Sequence, residues 1–244
     1  VPEGVRIGTR RVKSLAAALL AALLAAAPCQ AADPEREWQF VHDVLFGGNA
    51  EGDANDRRVN RFVEDPLAMV FDGQPADIEF VAGAIAAMAG LLGETRLRLE
   101  TRRPDLVNVA LLVLPRERLP WIVRRHDLNG NFAKLGVGYT ESWLRPALDI
   151  DRSLALIMAE TQGHERRATL IHELYHTLGA GGHSSLFPDS VVYADGLASS
   201  SALSLAAVDV KLMALLYRHL APGDTVAEAR AAFDLYWDAL DPLV

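Results

Sequence analysis

The stretch "LIHELYHTLGAGGHS", residues 170–184, constrains this chain more than any other. Leu170, Leu174 and Leu178 recur every fourth residue with Ile171 and Tyr175 beside them, which predicts a helix with one buried apolar stripe. Gly179 follows the last periodic residue, where a left-handed turn ends a helix at least steric cost; Gly181 and Gly182 are expected to let the chain reverse. His172 and His176 lie one turn apart on a stripe next to the leucines, and the reversal is expected to return His183 to them.

That placement has a chemical consequence. Two imidazoles at positions i and i+4 can direct nitrogens at one point about 2.0–2.1 Å from each, the distance at which zinc binds histidine. Glu173 projects about 100° further round the helix, so its carboxylate falls beside such an ion rather than on it, where a base for an activated water belongs. Three neutral imidazoles leave one coordination position open, the pattern of a catalytic Zn2+ site. Composition alone places His-Glu-x-x-His in about one chain in a hundred of this size, and the following glycines and histidine make coincidence rarer. The competing reading is a helix end whose histidines meet carbonyls, with His183 exposed in a glycine loop.

His183 has rivals as third ligand. Asp189 and Asp195 follow in the loop and Asp209 on the next helix, and carboxylates also bind zinc. Asp209 is expected instead to orient the motif helix or a ligand imidazole by hydrogen bonding, or simply to sit as a charge at a helix N-terminus. Tyr193 is a candidate for polarising a carbonyl, against the alternative of packing. His42, His126, His164 and His219 lack partners at ligand spacing.

The N-terminus bears on compartment. Arg6, Arg10, Arg11 and Lys13 precede thirteen uninterrupted apolar residues, Leu15 to Ala27, and then "PCQAAD". A run this short falls below the roughly 20 residues of a bilayer-spanning helix and reads as a secretory signal, residues 1–31, cleaved near Ala31. Because "VKSLAAALLAALLAAAP" is already a complete signal, translation is expected to start at Val12. Pro28 before Cys29 opposes a lipid anchor, and cleavage leaves a chain without cysteine that depends on its core. Loss of four basic residues and one acidic residue takes the formal charge from −8 to about −11. With no basic run interleaved with aromatics, that charge argues against nucleic-acid partners. No integral membrane segment is expected after cleavage.

Residues 32–56 read as an N-terminal segment ending in the Gly-rich loop "GGNAEGDAND", and residues 57–244 as one domain. Strands are expected within 57–73, in "RLRLET", in "LVNVALLVLP" and over 149–160, with a helix at 76–93. Residues 116–145 are ambiguous around a turn at "RHDLNGN"; helices follow the motif loop in "LSLAAVDVKLMALLYRHL" and over 226–240. The plan is α+β.

"HELYHTLGAGGHS" resembles the HExxHxxGxxH signature of the metzincin zinc peptidases, and "LSLAAVDVKLMALLY" resembles the helix that follows the active site in their matrixin branch. Residues 150–223 are also similar to an uncharacterised bacterial secreted family of zinc-dependent proteases. The spacing from Gly179 to His183 is one residue longer than the signature, and "SSLFPDS" carries no Met where these peptidases have one beneath the metal, so Leu186 or Phe187 would have to serve. The resemblance implies a zincin-like fold with a mixed sheet, an active-site helix and C-terminal helices. It implies one catalytic Zn2+ on His172, His176 and His183, with Glu173 as general base, and a peptide or protein substrate pairing with the strand "SLALIMAE" at the sheet edge. The resulting expectation is a secreted or periplasmic zinc metallopeptidase. The alternatives are a non-catalytic envelope binding protein on the same scaffold, its cleft filled by Trp143 or Phe187, and a hydrolase of cell-wall amides.

Overall fold

A computed structural model describes residues 33–47, 57–64, 67–93, 95–99, 107–128, 136–196 and 198–240. The expected signal peptide with its cleavage region, and most of the Gly-rich loop, lie outside the described residues. Among the described residues no helix is long and apolar enough to cross a membrane.

The protein is α+β, with a five-stranded mixed sheet and six α-helices among the described residues. In chain order the principal elements are α1 (Pro34–Phe46), β1 (Leu67–Asp72), α2 (Pro75–Ala89), β2 (Leu97–Leu99), β3 (Val109–Leu114) and α3 (Leu119–His126). They continue with β4 (Gly138–Leu144), β5 (Ile150–Met158), α4 (Gly163–Thr177), a small β6–β7 ribbon (Ala194–Asp195, Ala198–Ser199), α5 (Ala207–His219) and α6 (Val226–Tyr236). The sheet runs β2-β1-β3-β5-β4, parallel except for β4, which is antiparallel to β5.

β5 is apolar along most of its length because both of its faces are covered. Ala155 and Ile157 join the main core with α4, while Leu154, Leu156 and Met158 join a second cluster under α3, the period-two division of a buried strand. The resemblance placed this strand at the sheet edge. Instead the chain reverses through residues 145–149 and lays β4 outside it, so among the described residues the edge is Gly138–Leu144. Residues 57–64, read as part of a strand, belong to no strand of the sheet, and β1 begins at Leu67.

The expected boundary near Arg57 misses a helix. α1 begins at a proline, carries Glu35 and Glu37 in its first turn where the helix dipole favours them, and buries Phe40, Val41, Val44 and Phe46 in the main core. Residues from Glu35 onward therefore form one compact unit. Side-chain bonds from Arg230 to Glu35 and from Trp237 Nε1 to Glu37 fasten α1 to the C-terminal helices.

Candidate metal centre

Helix α4 is positioned by contacts on several sides. Leu170, Ile171, Leu174, Tyr175 and Leu178 are all buried, as the stripe predicts. Tyr175 donates its hydroxyl to the Asp209 carbonyl at 2.8 Å and Tyr217 to the Leu178 carbonyl at 3.0 Å, tying α4 to α5. Ser153 on β5 donates to the Thr177 carbonyl at 3.0 Å. Near the other end, Arg166 pairs with Asp77 of α2 in a buried ion pair.

The helix stops where glycine allows it. Gly179 has φ +106°, and a Cβ there would stand 2.1 Å from the Asn60 carbonyl oxygen, so both the turn and the neighbouring backbone exclude a side chain. Gly182 serves differently from expectation: its φ is not left-handed, but a Cβ would fall 2.1 Å from the Asp43 carbonyl oxygen of α1. It permits close approach rather than reversal.

Beyond the turn His183 comes back to the helix. Its Nε2 lies 3.1 Å from Nε2 of His172 and 3.2 Å from Nε2 of His176, and the latter two are 2.9 Å apart. A triangle with those edges admits a point about 2.0–2.1 Å from every corner, the metal–imidazole distance. Asp189 and Asp195 are exposed and stand outside this group, and among the described residues the histidine triad is the cluster able to hold a metal ion.

Protonation decides whether the triad is a ligand set or a hydrogen-bonded cluster. His172 Nδ1 is 2.6 Å from the Val191 carbonyl oxygen and His176 Nδ1 contacts that of Ala180. A carbonyl only accepts, so each Nδ1 carries the proton and each neutral ring turns a lone pair outward at Nε2. Burial disfavours imidazolium: it lowers His172, puts His176 well below its ordinary value and brings His183, the most open of the three, to about 4. At neutral pH two lone pairs thus face each other at 2.9 Å with no proton between them. That arrangement fits a cation, and soft-to-borderline nitrogen donors fit a transition metal.

Glu173 is 5% exposed and is held from the sheet edge. Thr140 of β4 donates to its Oε2 at 2.7 Å, and burial pushes the carboxyl up to about 7 despite that hydrogen bond. Gly138, on the same face of β4, leaves the space: a Cβ there would stand 2.3 Å from Glu173 Oε1. Tyr139 and Trp143 alternate to the opposite face, in the cluster under α3, and Trp143 lies beneath the Arg152 guanidinium at 4.5 Å. Phe187 packs edge-on against Phe40 of α1. Neither aromatic has the cleft-filling role considered from the sequence, and Leu186 and Phe187 pack on the core beside α1.

Asp209 takes the orienting role. It accepts from the Ser190 hydroxyl at 2.6 Å, the Val191 N–H at 3.0 Å and the Ala206 N–H at 2.8 Å. The Val191 carbonyl in turn accepts a hydrogen bond from His172 Nδ1, so one buried carboxylate both caps α5 and helps fix the His172 ring. Burial raises Asp209 to about 6 against these three hydrogen bonds. Tyr193 forms a backbone bridge with Ser184.

Sequence reasoning did not find Thr140 or Gly138; the alternation in "GYTESWL" was the available signal. Compared with known proteins, the chain matches no family model, and no curated protein matches it.

Proposed function

We propose that this protein is a zinc-dependent metallopeptidase of zincin-like, metzincin-related architecture that hydrolyses peptide bonds outside the cytoplasm, in the periplasm or after secretion. The observation that carries the reading is the convergence of three Nε2 atoms at 2.9–3.2 Å with the buried Glu173 carboxylate next in sequence to His172. His172, His176 and His183 would hold the ion, which when bound supplies Lewis acidity toward a water and a carbonyl oxygen.

The chain supplies the rest. Glu173 takes a proton from the attacking water at its carboxylate and delivers it to the leaving amine, while Thr140 holds Oε2 so that Oε1 is presented. A carboxyl near neutrality can do both at physiological pH, because neither form is strongly disfavoured. β4 borders this carboxylate and is the edge strand of the sheet among the described residues. An extended peptide added there would gain main-chain hydrogen bonds that depend little on its sequence and would pass Glu173. Asp209 keeps the His172 ring in the tautomer that presents Nε2.

The test is Glu173→Gln in full-length protein loaded with zinc. Retained metal with peptide hydrolysis reduced by at least about a thousandfold is expected. Unchanged turnover in the metal-replete variant rejects the assignment. Bound zinc with no hydrolysis by either form, across protein and cell-wall amide substrates, favours a binding protein on this scaffold.

A further inference from the structure

The third ligand is held by the N-terminal helix. Gly182, immediately before His183, donates its N–H to the Val44 carbonyl of α1 at 2.7 Å. Ser184, immediately after it and buried, donates its hydroxyl to Asp43 Oδ2 at 2.8 Å. Two residues on, Arg36 donates to the Leu186 carbonyl at 2.6 Å. The loop is thus bound on both sides of His183 by a segment some 140 residues earlier in the chain. A Cβ on residue 182 would stand only 2.1 Å from the Asp43 carbonyl oxygen, which shows how closely the two backbones meet.

His172 and His176 need no such help, since one helical turn sets their separation. His183 stands in a loop beyond a left-handed glycine, and a free loop would lose entropy on every binding event. Gln39 bonds Asp43 Oδ1 at 2.7 Å, which leaves Oδ2 for Ser184 and fixes the carboxylate plane. On the opposite side, α1 is anchored by four core residues and by its bonds to α6 and Trp237. The clamp therefore transmits the rigidity of the core to the loop.

We infer that α1 is an integral part of the metal centre, with Asp43 and Ser184 as positioning residues that preorganise His183 for the ion. This rests on the metal-site reading above. Removing an outer partner of a ligand weakens metal binding by about 10–100-fold in comparable sites. Here the partner acts through the backbone flanking the ligand, and the lower end of that range applies.

The experiment is a cycle in full-length protein: wild type, Ser184→Ala, His183→Ala and the double variant, with Co2+ affinity measured by chelator competition and the visible spectrum of the bound ion recorded. Ser184→Ala is expected to weaken Co2+ about tenfold and alter the spectrum, and to have no further effect once His183 is alanine. Asp43→Ala should match Ser184→Ala, with Asp43→Asn, which keeps the shape and one acceptor, intermediate. Thermal unfolding of the metal-free variants identifies any that lost the fold; Asp43→Asn carries the test if Ser184→Ala does. Affinity within twofold of wild type in the folded variants, or equal weakening in the His183→Ala background, overturns the inference. Wild type that takes up no Co2+ or Zn2+ overturns the metal reading itself, and the clamp with it.

Discussion

The two halves of the histidine triad are built by different physics. His172, Glu173 and His176 share one turn of α4, so backbone hydrogen bonds that exist for the helix's own sake also set their relative positions. His183 reaches the same point through a glycine turn, a loop paired at Ser184 with the 192–194 segment, and contacts from a distant helix. A short-range arrangement tolerates change elsewhere in the molecule, whereas a long-range one inherits every weakness of the elements that hold it.

Ligand deletion measures that contrast most directly. His176→Ala removes half of the helical pair and is expected to lower Zn2+ affinity at least about a thousandfold, or about 4 kcal/mol. His183→Ala is expected to cost about a hundredfold, because the helical pair persists; isothermal titration of both variants compares them. Equal losses would break the contrast, and the loop would then count as fully as the helix.

Gly179→Ala tests the junction between the halves. An alanine must adopt a left-handed backbone and meets the Asn60 carbonyl, so a destabilisation of about 2–4 kcal/mol in urea unfolding is expected. A change under about 0.5 kcal/mol would mean the turn relaxes freely, and the loop's geometry could not then depend on it.

The smallest effect concerns Glu173 in metal-free protein. Its carboxyl sits at about 7 in the fold against an ordinary value of 4.5, so the folded state prefers the protonated form. The stability this contributes is full below about pH 4.5 and is lost as pH rises through 7. Glu173→Gln lacks this titration and is expected to gain on wild type between pH 5 and 8, by at most about 3 kcal/mol. The depressed histidines act in the opposite direction: their contribution is present above pH 6.5 and lost as pH falls toward 4. Because both proteins share them, the difference between the two unfolding curves isolates Glu173. A difference that does not grow with pH would contradict the burial that distinguishes this carboxylate.

Legibility followed the range of the interactions. The Leu170–Leu174–Leu178 stripe and Gly179 define α4 and its end because burial and steric exclusion act within a few residues. β3 and β5 were legible as apolar runs, but which of them lay at an edge was not, since pairing depends on how the 145–149 reversal lays β4 alongside β5. α1 went unread although Phe40, Val41 and Val44 have helical spacing behind Pro34, because its thirteen residues follow a signal-like tract and its partners lie at the far end of the chain. An orienting role for Asp209 is legible in the sequence; its route through Ser190 and Val191 to His172 depends on how the loop packs over α5.

By itself the sequence determined a helix that offers two imidazoles and a carboxylate in fixed register, because a 3.6-residue repeat and a terminal glycine leave little freedom. Tertiary structure decided that His183, the expected partner, stands with His172 and His176 while Asp189 lies outside the group, that Thr140 holds Glu173, and that α1 meets the loop on both sides of His183. The last two contacts join residues 33 and 141 positions apart, and only the packed core brings such groups to hydrogen-bonding distance.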